Sequence, residues 1–186
     1  MKTVTVNGKP LDVVKLLGHG KHSYSFLVQA HNAPMRRYVL KQMVYTPGVL
    51  HRVGEHVEQD IHDYRRLCEL GIRLPAMMDV DIQAERILKE YIDGPTIFEL
   101  IMADRMDDSY LEQVRAMQAQ LAKHHIDIDY FPANFVVNDG PLYYIDFACD
   151  DYDESRDFEH YGLQYWSKSP QLLKYIDEHD VILSTV

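Results

Sequence analysis

Asp127-Ile128-Asp129-Tyr130-Phe131-Pro132-Ala133-Asn134-Phe135-Val136-Val137, followed by Tyr144-Ile145-Asp146-Phe147-Ala148, is the stretch on which the reading of this chain turns. Between the two blocks lies Asp139-Gly140, a strong hairpin signal, so residues 135–138 and 142–145 are expected to form two short antiparallel strands. Such a hairpin brings Asn134 and Asp146 together, because they flank it, with Asp129 five positions before Asn134. Taken one at a time, Asp and Asn usually cap loops or turn strand ends. Taken jointly, around one hairpin, they read as one set rather than as separate caps.

The order and spacing of Asp129, Asn134 and Asp146 resemble the catalytic loop and metal-binding segment of protein kinases, where the last Asp opens an Asp-Phe-Gly motif. The resemblance implies ATP- and Mg²⁺-dependent phosphoryl transfer to a hydroxyl, of a protein Ser or Thr or of a small-molecule alcohol. Asp129 would orient the hydroxyl and take its proton, while Asn134 and Asp146 would ligate the Mg²⁺ that bridges the nucleotide phosphates.

Other parts of the chain look like elements of the same family. Gly18-x-Gly20 lies between two expected strands, as in a phosphate-covering loop whose third glycine is here Ser23. Lys41, inside the apolar run Tyr38-Val39-Leu40-Lys41, would reach the α and β phosphates as a point charge. The Glu that pairs with such a Lys is replaced by Asp60 in the following helix, with Glu58 as its competitor. Glu90 to Ile92 resemble the hinge that hydrogen-bonds adenine, and Asp157, in Asp-x-x-x-x-Gly162, resembles the start of a helix that braces the catalytic loop. The resemblance covers roughly residues 13–166 and is nearest to RIO-type, lipopolysaccharide-core and other small atypical bacterial kinases. Three departures stand out: Ala148 in place of the Gly of Asp-Phe-Gly, no His-Arg pair before Asp129, and an interval from Asp146 to Asp157 too short for an activation segment.

The fold implied is α+β and bilobal: one kinase-like domain with a β-rich N-lobe over 1–92 and a reduced, mostly helical C-lobe over 93–186. Residues 13–17, 24–30 and 38–45 read as strands, with Asn32-Ala33-Pro34 as a turn. A helix is expected over 53–70 with Val57, Ile61, Tyr64 and Cys68 on its apolar face. Residues 77–82 and 86–91 read as a strand pair, and Asp93-Gly94-Pro95 as the boundary between lobes. Asp108-Ser109 can cap a helix running to about His125, with Leu111, Val114, Met117 and Leu121 as its stripe. The tail reads as helical over 154–166 and 170–178.

A net charge of −10, with acidic residues gathered between Asp146 and Glu159, argues against nucleic acid or anionic lipid as partners. No apolar run approaches a membrane span, and Met1-Lys2-Thr3-Val4 is not a signal peptide, so a cytoplasmic protein is expected. Cys68 and Cys149 are expected to be buried thiols. The ten histidines show no metal-ligand spacing. Tyr143, Tyr144, Tyr161, Tyr165 and Trp166 are core fillers or a substrate surface. Two rival functions keep the residues in other roles: a pseudokinase that binds nucleotide or acts as a scaffold without turnover, and an interaction module using its acidic face.

Overall fold

A computed structural model describes residues 2–20, 22–45, 48 and 50–179. The protein is α+β and divides into two compact units, one of Met1–His62 with Pro75–Tyr91 and one of Asp63–Leu74 with Ile92–Val186.

The first unit is a six-stranded antiparallel sheet ordered β1-β2-β3-β4-β6-β5. Its strands are β1 (Thr3–Val6), β2 (Lys9–His19), β3 (Ser23–Ala30), β4 (Ala33–Met43), β5 (Met77–Asp81) and β6 (Arg86–Glu90). Asn7 and Gly8 turn β1 into β2 with φ of 47° and 76°, the left-handed pair that a tight hairpin demands and Asn-Gly supplies. Pro34 does not break the sheet. It sits in β4 where the register with β3 shifts, so the ladder loses little from its missing N–H. Val6, Leu11, Val28, Leu40 and Leu88 pack as a core on one face of the sheet.

Helix α1 spans Glu55–Glu69, and the division between the units falls inside it. Its buried positions are Val57, Asp60, Asp63 and Leu67, at spacings of three, three and four, rather than the expected apolar set. Cys68 is exposed and only Cys149 is buried, contrary to the expectation for both thiols. Two carboxylates thus occupy the helix's inner stripe, which a pattern based on apolar residues does not reveal.

In the second unit, α2 (Ile97–Met102) was not foreseen, although it carries its own start signal. The Thr96 hydroxyl accepts the Glu99 N–H, while the Glu99 carboxylate accepts the Thr96 N–H, a capping box that satisfies two otherwise orphaned donors. Helix α3 (Asp108–Ala122) is capped by Asp107 and buries Val114 and Leu121. There follow β7 (Ile126–Asp127), a 3-10 turn (Pro132–Asn134), β8 (Phe135–Val137) and β9 (Leu142–Tyr144). Asp139 and Gly140 turn β8 into β9 with φ of 51° and 102°. The strand β10 (Asp150–Asp151) pairs antiparallel with β7, and α4 spans Pro170–Glu178.

Residues 154–166 are not the expected helix: turns lead into a 3-10 helix over Gly162–Tyr165. The cause is local. The carboxylate of Asp153 takes the Ser155 N–H and that of Asp157 takes the His160 N–H, offering the backbone partners that compete with helical bonding. Phe135, Tyr144, Phe158 and Trp166 form the centre of this unit's core. Among the described residues no helix is long and apolar enough to cross a membrane.

The glycines differ in what the fold asks of them. A Cβ at Gly94 would collide with the carbonyl oxygen of Val137, while one at Gly18 would meet nothing within 4 Å. Gly94→Ala is therefore expected to destabilise the protein by about 2–4 kcal/mol, and Gly18→Ala to change stability by less than about 0.5 kcal/mol, in urea unfolding.

Candidate functional site

In the first unit, Lys41 lies on β4 opposite Ser25 of β3 and Ile87 of β6, which places it on the sheet face away from Leu40, Phe26 and Leu88. Its side chain is buried, with 7% of the residue exposed, and Nζ is 2.7 Å from Oδ2 of Asp60, itself 8% exposed. Asp60 is thus the helix carboxylate that pairs with Lys41. Glu58, the alternative, is held at the surface by Arg52, whose hydrogen bond keeps the Glu58 carboxyl below its usual range. Lys89 is a second buried lysine that the sequence reading passed over. It follows Ile87 by two residues on β6 and so shares the face of Lys41.

Gly18 pairs with Ser25 where the β2 register is irregular, and the Gly20 N–H donates to the Ser23 carbonyl at 2.8 Å, closing the hairpin. Neither glycine has a left-handed φ or a neighbour that a Cβ would strike. The Glu90 N–H donates to the Ala76 carbonyl at 2.8 Å. A base held along this stretch would have to use other backbone groups. Ile92 is buried and belongs to the second unit.

In the second unit, Asn134 is the joint of the turn that carries Asp129. Its N–H donates to the Phe131 carbonyl at 2.9 Å, its side-chain amide to the Asp129 carbonyl at 3.3 Å, and its own carbonyl accepts the Ile145 N–H at 2.8 Å. The register Phe135↔Tyr144 then sets Asp146 two residues past the end of the hairpin, with Oδ1 accepting the Phe147 N–H at 2.8 Å. The Asp129 carboxylate is fixed by the Phe131 N–H at 3.0 Å. Asp129 keeps an exposed surface, yet loss of hydration from the protein packed around it pushes its carboxyl above the usual range. The nearby charge of Asp146 adds to this, while the bonds from Phe131 and Asn134 oppose it. The structure therefore brings Asp129, Asn134 and Asp146 together, and all three side chains carry oxygen atoms of the kind a hard cation takes. No cluster of three or more His, Cys, Asp or Glu side chains able to hold a metal occurs among the described residues.

Asp157 lies in the turn region, not at a helix start, and is 2% exposed. Its carboxylate accepts hydrogen bonds from Gln118 Nε2 (3.1 Å), the Tyr152 hydroxyl (3.0 Å), and both the N–H and Nδ1 of His160 (2.9 Å each). Burial pushes its carboxyl up, but these bonds outweigh it and hold the group below the usual range. The same contact raises His160 above its ordinary 6.5. Asp127, also buried, is a carboxylate the sequence reading did not single out. Its Oδ1 accepts the Ile128 N–H at 3.0 Å, and desolvation raises its carboxyl. The only sequence signal for it was its place in the strand before Asp129.

No family model matches the chain. It is similar to a protein named KEOPS complex subunit Bud32 from Pyrococcus abyssi (strain GE5 / Orsay), 30% identical over 95 residues. That stretch is 49% of this chain and 43% of the relative, so the likeness spans less than half of the other protein. It supports a kinase-like relationship, with which the α+β fold and the antiparallel sheet are compatible.

The two helix carboxylates are expected to behave differently. Asp60→Ala removes the carboxylate paired with a buried lysine and should cost about 2–4 kcal/mol in urea unfolding, whereas Glu58→Ala, at the surface, should cost clearly less. For His160, the sign follows from the shifts. Its raised value makes its contribution full below 6.5 and lost as pH climbs through the folded value. The lowered value of Asp157 makes its contribution full above 3.8 and lost as pH falls through the folded value. The melting-temperature gap between wild type and His160→Ala is therefore expected to be widest between those two ordinary values and to shrink on the alkaline side.

Proposed function

We propose that the protein is an ATP- and Mg²⁺-dependent phosphotransferase acting on a hydroxyl. The observation that carries this reading is the catalytic turn: one asparagine holds Asp129 and the segment of Asp146 in fixed register, with both carboxylates oriented by backbone N–H groups. The two lobes of a kinase-like domain, 1–92 and 93–186, belong to the same proposal.

Asp129 orients the acceptor hydroxyl and takes its proton as the oxygen bonds to the γ phosphorus. The bond from that phosphorus to the bridging oxygen breaks, and ADP leaves with the electron pair. Asn134 and Asp146 would hold the cation through hard oxygen donors. Mg²⁺, when bound, neutralises phosphate charge. Lys41, kept in place by Asp60, faces the α and β phosphates, and Gly18, Gly20 and Ser23 form the loop over them. That glycine at 18 and 20 answers no need of the fold supports a ligand approaching that backbone. Glu90 to Ile92 would hold the base, and Asp157 braces the turn from within the second unit.

A pseudokinase remains the rival reading. Asp60 in the helix, Ser23 in the loop and Ala148 after Asp146-Phe147 are its motives, and the Ala148 carbonyl is tied to the Tyr144 hydroxyl at 2.9 Å. Transfer of the γ-phosphate, including autophosphorylation, is expected from wild type with MgATP and is expected to fall by at least about 10²-fold in Asp129→Asn. Equal transfer by both proteins sinks the catalytic role of Asp129. Thermal stabilisation by MgATP without transfer to any acceptor favours the pseudokinase.

A further inference from the structure

The aromatic residues of the second unit do not all serve its core. Tyr144, Phe135 and Trp166 are buried in it, but Tyr161 is 51% exposed and Phe131, Tyr165 and Tyr175 are half-buried. These four form a continuous wall. The Phe131 ring lies 4.5 Å from that of Tyr175 and 5.8 Å from that of Tyr165, and the Tyr161 and Tyr165 rings meet edge to face at 5.6 Å. The wall begins at the catalytic turn itself, because the Phe131 N–H is the group that fixes the Asp129 carboxylate. Its outer end is polar, with the Tyr165 hydroxyl donating to that of Tyr161 at 3.3 Å. The charge of Asp129 is felt at the Tyr175 hydroxyl, which burial and that charge both raise.

A second observation concerns what stands on the other side of the turn. The chain after Asp146 folds back on the strand that leads into Asp129. Asp150 and Asp151 pair with Asp127 and Ile126, the Tyr152 N–H donates to the His125 carbonyl at 3.0 Å, and the Tyr152 hydroxyl is anchored on Asp157. Extended peptides are held by main-chain bonds along an available segment. Here the short segment that follows Asp146 is already committed.

We infer that the phosphoryl acceptor is a small ring-shaped polyol, lying with its less polar face on the wall of Phe131, Tyr161 and Tyr165 and presenting one hydroxyl to Asp129. The inference rests on the phosphotransferase reading and narrows it from hydroxyls in general to this class. Aromatic rings that are apolar on the face and polar at the tip suit such a molecule, since the ring carbons pack while the remaining hydroxyls bond to the phenols. The net charge of −10 disfavours an acceptor that is already phosphorylated or part of a nucleic acid. The step balances: the ring hydroxyl gives its proton to Asp129, its oxygen gains the phosphoryl group, and the nucleotide leaves as the diphosphate.

The test uses the full chain with MgATP and four acceptors: myo-inositol, methyl α-D-glucopyranoside, glycerol as an acyclic control, and a mixture of Ser- and Thr-containing nonapeptides. Transfer is read by ³¹P NMR and contact by saturation-transfer NMR, in wild type, Tyr161→Ala and Tyr161→Phe. At least one ring compound is expected to be phosphorylated with kcat/KM about tenfold or more above glycerol and the peptides. Tyr161→Ala is expected to raise KM for that compound about tenfold while the KM for MgATP stays within about twofold, with Tyr161→Phe in between. Preferred transfer to the peptides, an unchanged ring-acceptor KM in Tyr161→Ala, or binding of MgATP with no ring compound touched overturns this inference alone. Absence of any MgATP binding overturns the phosphotransferase reading and this inference with it.

Discussion

Asn134 imposes the constraint on which the second unit's site depends. Its main chain and side chain together make three hydrogen bonds, to Phe131, to Asp129 and from Ile145, and so tie a turn to the far strand of the following hairpin. Each such bond contributes only about 1 kcal/mol net, so the bonds alone would not hold the turn still. Rigidity comes from what lies beneath: Phe135 and Tyr144, paired across β8 and β9, are both fully buried, and their aromatic contacts with Tyr130 and Trp166 leave the hairpin no second register. The polar groups choose the geometry, and the apolar core enforces it.

The first unit reverses that division of labour. Lys41 and Asp60 form a buried ion pair on a sheet face and helix stripe where apolar residues would pack more cheaply, because desolvating two charges consumes most of their attraction. A fold selected for stability alone gains little from it. Asp157 is a different case, since four donors surround its carboxylate and compensate its burial within the fold. One buried acid is thus satisfied by four donors around it, and the other is paired with a buried lysine.

Among the described residues, seven of the ten strands and three of the four α-helices were legible because each carries a local cause. Asp139-Gly140 specifies the β8–β9 turn, and Asn7-Gly8 would have revealed β1 had it been weighed in the same way. Thr96 and Glu99 likewise announce α2 through a capping box only six residues long in its helix, shorter than periodicity can detect. The inner stripe of α1 was misread for a different reason. Its buried positions include Asp60 and Asp63, and a search for apolar spacing necessarily rotates the helix toward Ile61 and Cys68. The helix expected over 154–166 failed because Asp153 and Asp157 bond to their own following N–H groups, a competition that composition does not display. Among the candidate site residues, the spacing of Asp129, Asn134 and Asp146 was visible in the sequence. Their mutual bonding was not, because it runs through backbone carbonyls that any residue possesses.

A sharper distinction emerges from comparing residues the fold requires with those it does not. Gly94 and Gly162 are compelled by sterics: a Cβ at the first would strike the Val137 carbonyl, and one at the second would come within 2.7 Å of the Tyr130 Cβ. Among the described residues, sterics do not compel Gly18 and Gly20, since neither has a left-handed φ or a neighbour that a Cβ would strike. Lys41 is a buried cation paired with Asp60, and Tyr161 presents a half-exposed ring. Gly18, Gly20 and Lys41 in the first unit and Tyr161 in the second are of types that the proposed phosphoryl transfer can use: flexible backbone for phosphates, a fixed cation, and an aromatic surface. Glycines at 18 and 20 and a lysine hidden from solvent favour the kinase-like proposal over an interaction module, which has less use for them.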